Sequence, residues 1–549
     1  MSGKARRYSS VSAVVLCTLF VNWCLSISAA PQGSAAGQGW GEYPRSPAEA
    51  ARFLEYSTWG PTTDWINHLT EVGYSRFLDE QFAAPISGYQ DFPLVPSMRP
   101  ADCVGTCQRD NYTLYPLQRR FYTNALYGND QLRQRVAFAL HQIIVVSGNE
   151  ITIPGRFAPY LKVLDRNAFG NYRQLLHDIT LNPAMGNYLD MAGNTSTNPN
   201  ENYAREILQL FSIGVNQLNE DGTPIIGAGG QAIPAYDQDT VNAFARLFTG
   251  WAFAAPPATG IANYFEPMVA IQNRHDVRAK TVLQGVTLPP NQTAAKDLAD
   301  GLDNIFMHPN VGPFVSKQLI QHLVTSNPSP DYVRRVAQVF ANNGAGVRGD
   351  LAAVVRAVLL DEEAYVNPSP PDFRKGHLKH PILLVTNLLR ALGVRSADGL
   401  GLSDGYLNPQ NQAMGMDLFV PPSVFSYFSP STGVPGSSLR GPEFGVLNTS
   451  TSIRRSNFVN TMVFSRIAVS ANAPSGTSLD FSGLQPLAST APKDLVLRLN
   501  TLMMSGKMSQ PMFDAILKAI YAVPVSNPLR RAQTAVYLVA TSAQYQVAR

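Results

Sequence analysis

Apolar positions along the chain recur mostly at helical spacing. From Gln131 to Val146 the residues Leu132, Val136, Leu140 and Ile143 fall on one helical face. Over 200–213, Tyr203, Ile207, Leu210 and Phe211 make a second apolar face, with Asn200 placed as its cap and Gly214 as its stop. A third helix is predicted from Asp239 to Phe248, ending at Gly250. A fourth has Pro313 in its first turn and runs to Val324, with Val315, Leu319 and His322 sharing a face. The same pattern predicts helices at 331–342, 349–360, 380–392, 493–504, 511–521 and 528–541. Strand alternation is scarce, and Thr281 to Leu288 is the best short candidate. The expected fold is mainly α: a large multi-helix body with long Gly/Pro-rich loops and at most a minor β-hairpin.

The loops are long. Residues 85–120, 215–238, 252–275 and 395–450 are rich in Gly, Pro, Asn and Ser, and connections of that length are functional or wrap the surface. The expected organisation is a helical body over 45–395, a loop-rich excursion over 396–450, and C-terminal helices over 451–549 packed on the body. With 45% hydrophobic and 15% charged residues among 549, the chain is too apolar to be disordered.

Charge changes the picture only at the start. Lys4, Arg6 and Arg7 precede an apolar run from Val11 to Leu25 and the small residues up to Ala30. That order is the order of a secretory signal peptide, predicted over 1–30 with a linker over 31–44. The run is shorter than the roughly 20 residues that span a bilayer. Two alternatives stay open: a degenerate twin-arginine signal at Arg6-Arg7, or an uncleaved anchor, since Pro31 opposes cleavage directly after Ala30. Without the three basic residues the balance is 40 basic against 39 acidic, a net charge of +1. Such neutrality gives no footprint for nucleic acid. The protein is therefore expected to be exported to the periplasm, cell surface or medium, with no membrane span after the signal. Outside the signal only Cys103 and Cys107 remain, and across Gly105 they read as a local disulfide.

Several stretches resemble a known bacterial family. They are Asn171-Tyr172-Arg173-Gln174-Leu175-Leu176, Asn182-Pro183-Ala184-Met185, Tyr188-Leu189-Asp190 and Pro199-Asn200-Glu201-Asn202-Tyr203-Ala204-Arg205-Glu206. Leu247-Phe248-Thr249-Gly250-Trp251, His275-Asp276 with Lys280, and His308-Pro309 follow in order. Pro421-Pro422-Ser423-Val424-Phe425 and Gly441-Pro442-Glu443-Phe444 complete the set. Together they resemble the family catalogued as domain of unknown function 1800. The resemblance implies a secreted, mainly helical protein with no established activity. Where many members carry histidine, this chain has Ile143 and Phe211, so a histidine metal site common to the family is not expected here.

The densest polar cluster lies between Asp190 and Glu206. Its carboxylates and amides could ligate Ca²⁺, hold sugar hydroxyls, or supply acid and base groups. Glu201 and Glu206 are about 140° apart on a helix, so they cannot both face one substrate. A catalytic pair would need a partner from elsewhere, such as Asp190 or Asp178. The candidate catalytic residues are Asp190, Glu201, Glu206 and His275; the candidate binding residues are Asn200, Asn202, Tyr203, Arg205 and Asp276. The same residues would equally make a capped helix with a Glu201–Arg205 pair tying down a loop. His141 and His322 read as core or boundary histidines. P-loop, nucleophile-elbow, zinc-protease and EF-hand signatures are absent from the sequence. The expected function is an exported protein acting on or binding envelope or extracellular polysaccharide. The alternative is a non-catalytic envelope or surface protein that binds a partner or glycan.

Overall fold

Proline opens many of the helices. Eleven of the described α-helices carry it in their first two positions, where its missing N–H costs nothing. Side-chain caps do the rest: Asp237 accepts the Thr240 amide, Thr293 that of Lys296, and Asp350 those of Ala352 and Ala353. The computed structural model describes residues 41–257, 260–365 and 375–548. The expected signal and most of its linker lie outside the described residues.

The fold is mainly α. Among the described residues there are 23 α-helices and four two-stranded antiparallel pairs. Helix Gln131–Ile143 is buried along its whole length and packs on Pro154–Asn167 and Val311–Leu323. Val311–Leu323 also carries Pro330–Ala341 and Leu351–Leu360, so these elements share the central core. The predicted strand over 281–288 is a hairpin, Lys280–Thr281 against Thr287–Leu288, turned by a short 3₁₀ segment. The Gly-rich stretch within 215–238 folds into a three-pass meander. Gln217 bonds Ile233, Ile225 bonds Gln217, and Gly227 to Gly230 makes the turn.

The C-terminal helices close on the body. Pro492–Met504 packs against Pro47–Ser57, Val394–Arg395 pairs with Ser478–Leu479, and His377–Leu378 pairs with Val547–Ala548. The buried Arg455 guanidinium donates to the Lys379 carbonyl at 2.9 Å beside that last pair.

One predicted helix changes form midway. The 200–213 segment is α-helical over Asn202–Glu206 and then widens into a π-helix over Ile207–Ser212. The Ser212 hydroxyl donates to the Ile207 carbonyl, and the Tyr172 hydroxyl takes the Phe211 carbonyl. Gly214, at φ +77°, ends it where the Phe314 ring leaves no room for a Cβ.

Candidate functional site

The Asp190–Glu206 segment is held mainly by its own asparagines. Asn194 is buried; its Oδ1 accepts the Asn200 amide at 2.8 Å, and its carbonyl takes the Gly250 amide. Asn200 Oδ1 in turn accepts the Asn202 amide at 2.8 Å, an Asx turn that places the first helical residue at Asn202 rather than Glu201. Asp190, exposed and at φ +56°, accepts from Asn202 Nδ2 at 2.7 Å. Tyr203 is core: its hydroxyl meets Thr180 Oγ1 at 2.6 Å and its ring packs on Phe248.

Glu201 and Arg205 form an ion pair at 2.7 Å with both side chains about 40% exposed, and Gln238 bonds both. Exposed pairs of this kind are worth about 0–1 kcal/mol. Arg205→Ala should therefore melt within about 2 °C of the parent; a drop of 5 °C or more would show that the arginine holds the fold in some other way.

Glu206 is different. It is half-buried, its Oε2 is sealed without a hydrogen-bond partner, and burial pushes its carboxyl upward. The Tyr188 phenol is pushed up to about 12 by burial and then by the charges of Glu150 and Glu206. Glu150 is itself raised by burial and by Asp190. Glu150, which composition and motif had not singled out, thus feels Asp190 and shares Tyr188 with Glu206.

His275 and Asp276 belong to a separate, sealed corner. The His275 ring lies between the Thr249 carbonyl, 2.9 Å from Nδ1, and Asp297 Oδ2, 2.8 Å from Nε2. Lys280 Nζ reaches the same Asp297 oxygen at 2.6 Å. Burial alone would raise the Asp276 carboxyl, but hydrogen bonds from Arg278 and Arg246 outweigh it and hold the group well below the usual carboxylate range. Gly250, at φ +84°, lets the backbone pass against His275, where a Cβ would approach within 2.9 Å. The side chains of His275 and Asp276 bond to Thr249, Asp297, Arg246 and Arg278, none of them in the Asp190–Glu206 segment. Among the described residues no three His, Cys, Asp or Glu side chains converge as a metal site. Cys103 and Cys107 are joined as a disulfide.

A cavity of about 500 Å³ opens beyond the π-helix. Gln209, Leu210 and Ile213 supply one wall, and Phe314, Lys317, Gln318, Gln321 and His322 of helix Val311–Leu323 a second. The meander adds Val215, Leu218 and Pro224, and the segment 424–443 closes the space with Phe425, Phe428 and Glu443. Gln142 Oε1, Gln318 Nε2 and Ser426 Oγ, all on lining residues, are buried without a hydrogen-bond partner. Ser426 also holds a left-handed backbone at φ +67°. Burial pushes the Glu443 carboxyl up to about 7, with Ser326 Oγ 3.5 Å away. Burial, helped by Arg135, pushes His322 down to about 4. Near neutral pH the cavity therefore presents a carboxyl able to hold its proton, a neutral imidazole and five side-chain amides.

Two stretches that carry the family resemblance, Pro421–Phe425 and Gly441–Phe444, contribute to this cavity, and the Asn202–Glu206 helix leads into its wall. The sequence profile of a family described as "Protein of unknown function (DUF1800)" matches residues 52–547. The chain belongs to the DUF1800 family. No curated protein and no solved structure matches it. Within this DUF1800 chain the loop at 215–238, notable in the sequence only for length and composition, and the loop at 395–450, which also carries family stretches, both build the cavity. Gln142, Gln318 and Gln321 carry no charge or motif, and nothing in the sequence marks them.

Proposed function

We propose that this DUF1800 protein works outside the cytoplasm as a binding protein for envelope or extracellular polysaccharide, with a sugar unit seated in the Gln142–Gln318–Glu443 cavity. The observation that supports this reading is the set of buried polar atoms without partners on an otherwise apolar, aromatic wall. Leaving a buried donor or acceptor unpaired costs about 1–3 kcal/mol. A ligand that both donates and accepts hydrogen bonds, and also offers an apolar face, recovers that cost. Sugar rings have both properties: hydroxyls around the rim and C–H faces that lie on rings such as Phe314, Phe425 and Phe428. Glu443 is the one Asp or Glu among the described lining residues, which favours binding over hydrolysis by a carboxylate pair. No helix among the described residues is long and apolar enough to cross a membrane.

The test is calorimetry against a panel of envelope and extracellular oligosaccharides. Phe425 is 44% exposed, so Phe425→Ala should keep the fold and lower affinity at least tenfold. Gln142→Leu should lower affinity likewise while leaving the melting temperature equal or higher, because a buried amide atom without a partner is replaced by an apolar group. Loss of stability and affinity together in Gln142→Leu would make the residue structural and count against the reading.

A hydrolytic reading is favoured by one observation, the sealed and raised Glu206 carboxyl, which shares the neighbouring Tyr188 with Glu150. Release of reducing ends from a bound glycan, abolished in Glu206→Gln, would put that reading in place of simple binding.

A further inference from the structure

The two buried lysines among the described residues have carboxylate company: Lys280 lies 2.6 Å from Asp297 and Lys379 lies 2.6 Å from Glu55. The buried Arg390 and Arg531 donate instead to several backbone carbonyls each. The cations of the cavity have less. Lys317, half-buried on helix Val311–Leu323, donates to the Gly222 carbonyl at 3.3 Å and has no ion-pair partner among the described residues. Arg440, on the opposite segment, donates to the Ser431 carbonyl and likewise has no carboxylate partner among them.

We propose that the ligand of this cavity is an acidic saccharide, whose carboxylate or sulfate ester sits between Lys317 and Arg440 while its ring occupies the apolar chamber. The inference rests on the polysaccharide reading above and adds the charge of the sugar. Two cations facing one opening repel each other, and an anion between them removes the repulsion while gaining two charge-assisted hydrogen bonds. Both residues line the same cavity, and burial and then the charge of Arg440 push the Lys317 ammonium down.

The acidic groups nearby do not neutralise the cavity lining. Asp221 acts on Lys317 through its charge, less strongly than Arg440 does, and lies outside the lining. Glu220 accepts from Gln338 at 3.3 Å. Glu443 shares the cavity, yet burial keeps its proton to about pH 7, with Ser326, Arg455 and His322 as its polar surroundings. Among the described lining residues two cations, Lys317 and Arg440, therefore stand against one carboxyl that keeps its proton to about pH 7. On the same wall Gln142 and Ser426, each more than nine-tenths buried, carry unpartnered oxygens suited to ring hydroxyls.

The experiment uses the full chain and matched oligosaccharides that differ only in charge: a neutral series, its uronate counterpart and a sulfated counterpart. Titration calorimetry at low and at about 0.3 M salt reads the ratio of acidic to neutral affinity. The expected ratio is at least tenfold at low salt and shrinks as salt screens the pair. Lys317→Met and Arg440→Gln should each bring it toward one. Arg440 is exposed, so its variant keeps the test decisive even if the lysine variant folds poorly. Comparing uronate with sulfate identifies which acidic group the pair takes. Neutral sugars binding as well as acidic ones, with a ratio unmoved in Arg440→Gln, overturns the acidic preference and leaves the polysaccharide reading standing. No binding to any of the three series overturns both.

Discussion

Replacing Asp297 by Leu should cost about 3–5 kcal/mol of stability, the range expected when a buried charge loses its partner. Asp297 is fully buried and accepts from three donors: His275 Nε2 at 2.8 Å, Lys280 Nζ at 2.6 Å and Gln292 Nε2 at 2.6 Å. Burial works against its charge, but the bonds from His275, Lys280 and Gln292 outweigh it and lower the carboxyl. In Asp297→Leu the Lys280 ammonium, 1% exposed, would keep only the carbonyls of Asp276 and Arg278. Urea unfolding should show a clearly lower midpoint at unchanged slope. Adding Lys280→Met should recover much of the loss, because the stranded charge leaves with it. A single variant as stable as the parent would mean that the corner contributes nothing to the fold, and His275 would return as a candidate for chemistry.

Acid should destabilise the protein from about pH 6.5 downward. His141 and His377 are pushed down to about 3 and His380 well below 6.5, all by burial first, with Arg135 adding to the last two. Such groups stay neutral in the folded state and gain protons on unfolding. Their contribution is complete above the unfolded value near 6.5 and is lost as pH falls, at about 1.4 kcal/mol per unit for each group. Two buried carboxyls oppose them. Asp165 and Glu443 are pushed up to about 7 by burial, so the folded state holds protons that the unfolded state releases, and stability rises as pH falls from 7 toward 4. His308 and His322, both pushed down to about 4, act in the same direction as the other histidines. Five histidines against two carboxyls leave a net uptake of about three protons on unfolding near pH 5. Below the unfolded carboxyl values, near pH 4, the opposing gain stops while the histidine loss continues. Urea midpoints at pH 7, 6, 5 and 4 should fall at each step and most steeply at the last. Midpoints that rise toward pH 5 would mean that the carboxyls, not the histidines, dominate.

Much of the architecture was legible because burial imposes a period on sequence. The predicted helices at 331–342, 349–360 and 528–541 appear as Pro330–Ala341, Leu351–Leu360 and Pro528–Ala540, and the 281–288 pattern as a hairpin. The π-helix was not legible, since an apolar face drawn at 3.6 residues per turn barely differs from one drawn at a wider pitch over six residues. The candidate site divided along physical lines. The polar run from Asp190 to Glu206 was visible because it is local, and most of its bonds are local too. His275 looked like a loop histidine beside arginines, yet Thr249 and Asp297, 26 and 22 residues away, enclose it. The cavity draws Gln142, Leu210, Gln318, Phe425 and Glu443 from four distant stretches. No single window of sequence holds enough of it to be read.

The pairing of His377–Leu378 with Val547–Ala548 sets an order of assembly. The first strand is made about 170 residues before its partner, and Lys379 waits as long for the Gln546 carbonyl. The Arg455 guanidinium, which reaches both Lys379 and Gln546, cannot complete its bonds sooner. Contacts this far apart in sequence pay their loop entropy before they return anything, so the latch closes late. A chain still being synthesised keeps this seam open, and one threaded through a translocon on the proposed export route would leave the cytoplasm before the latch had formed.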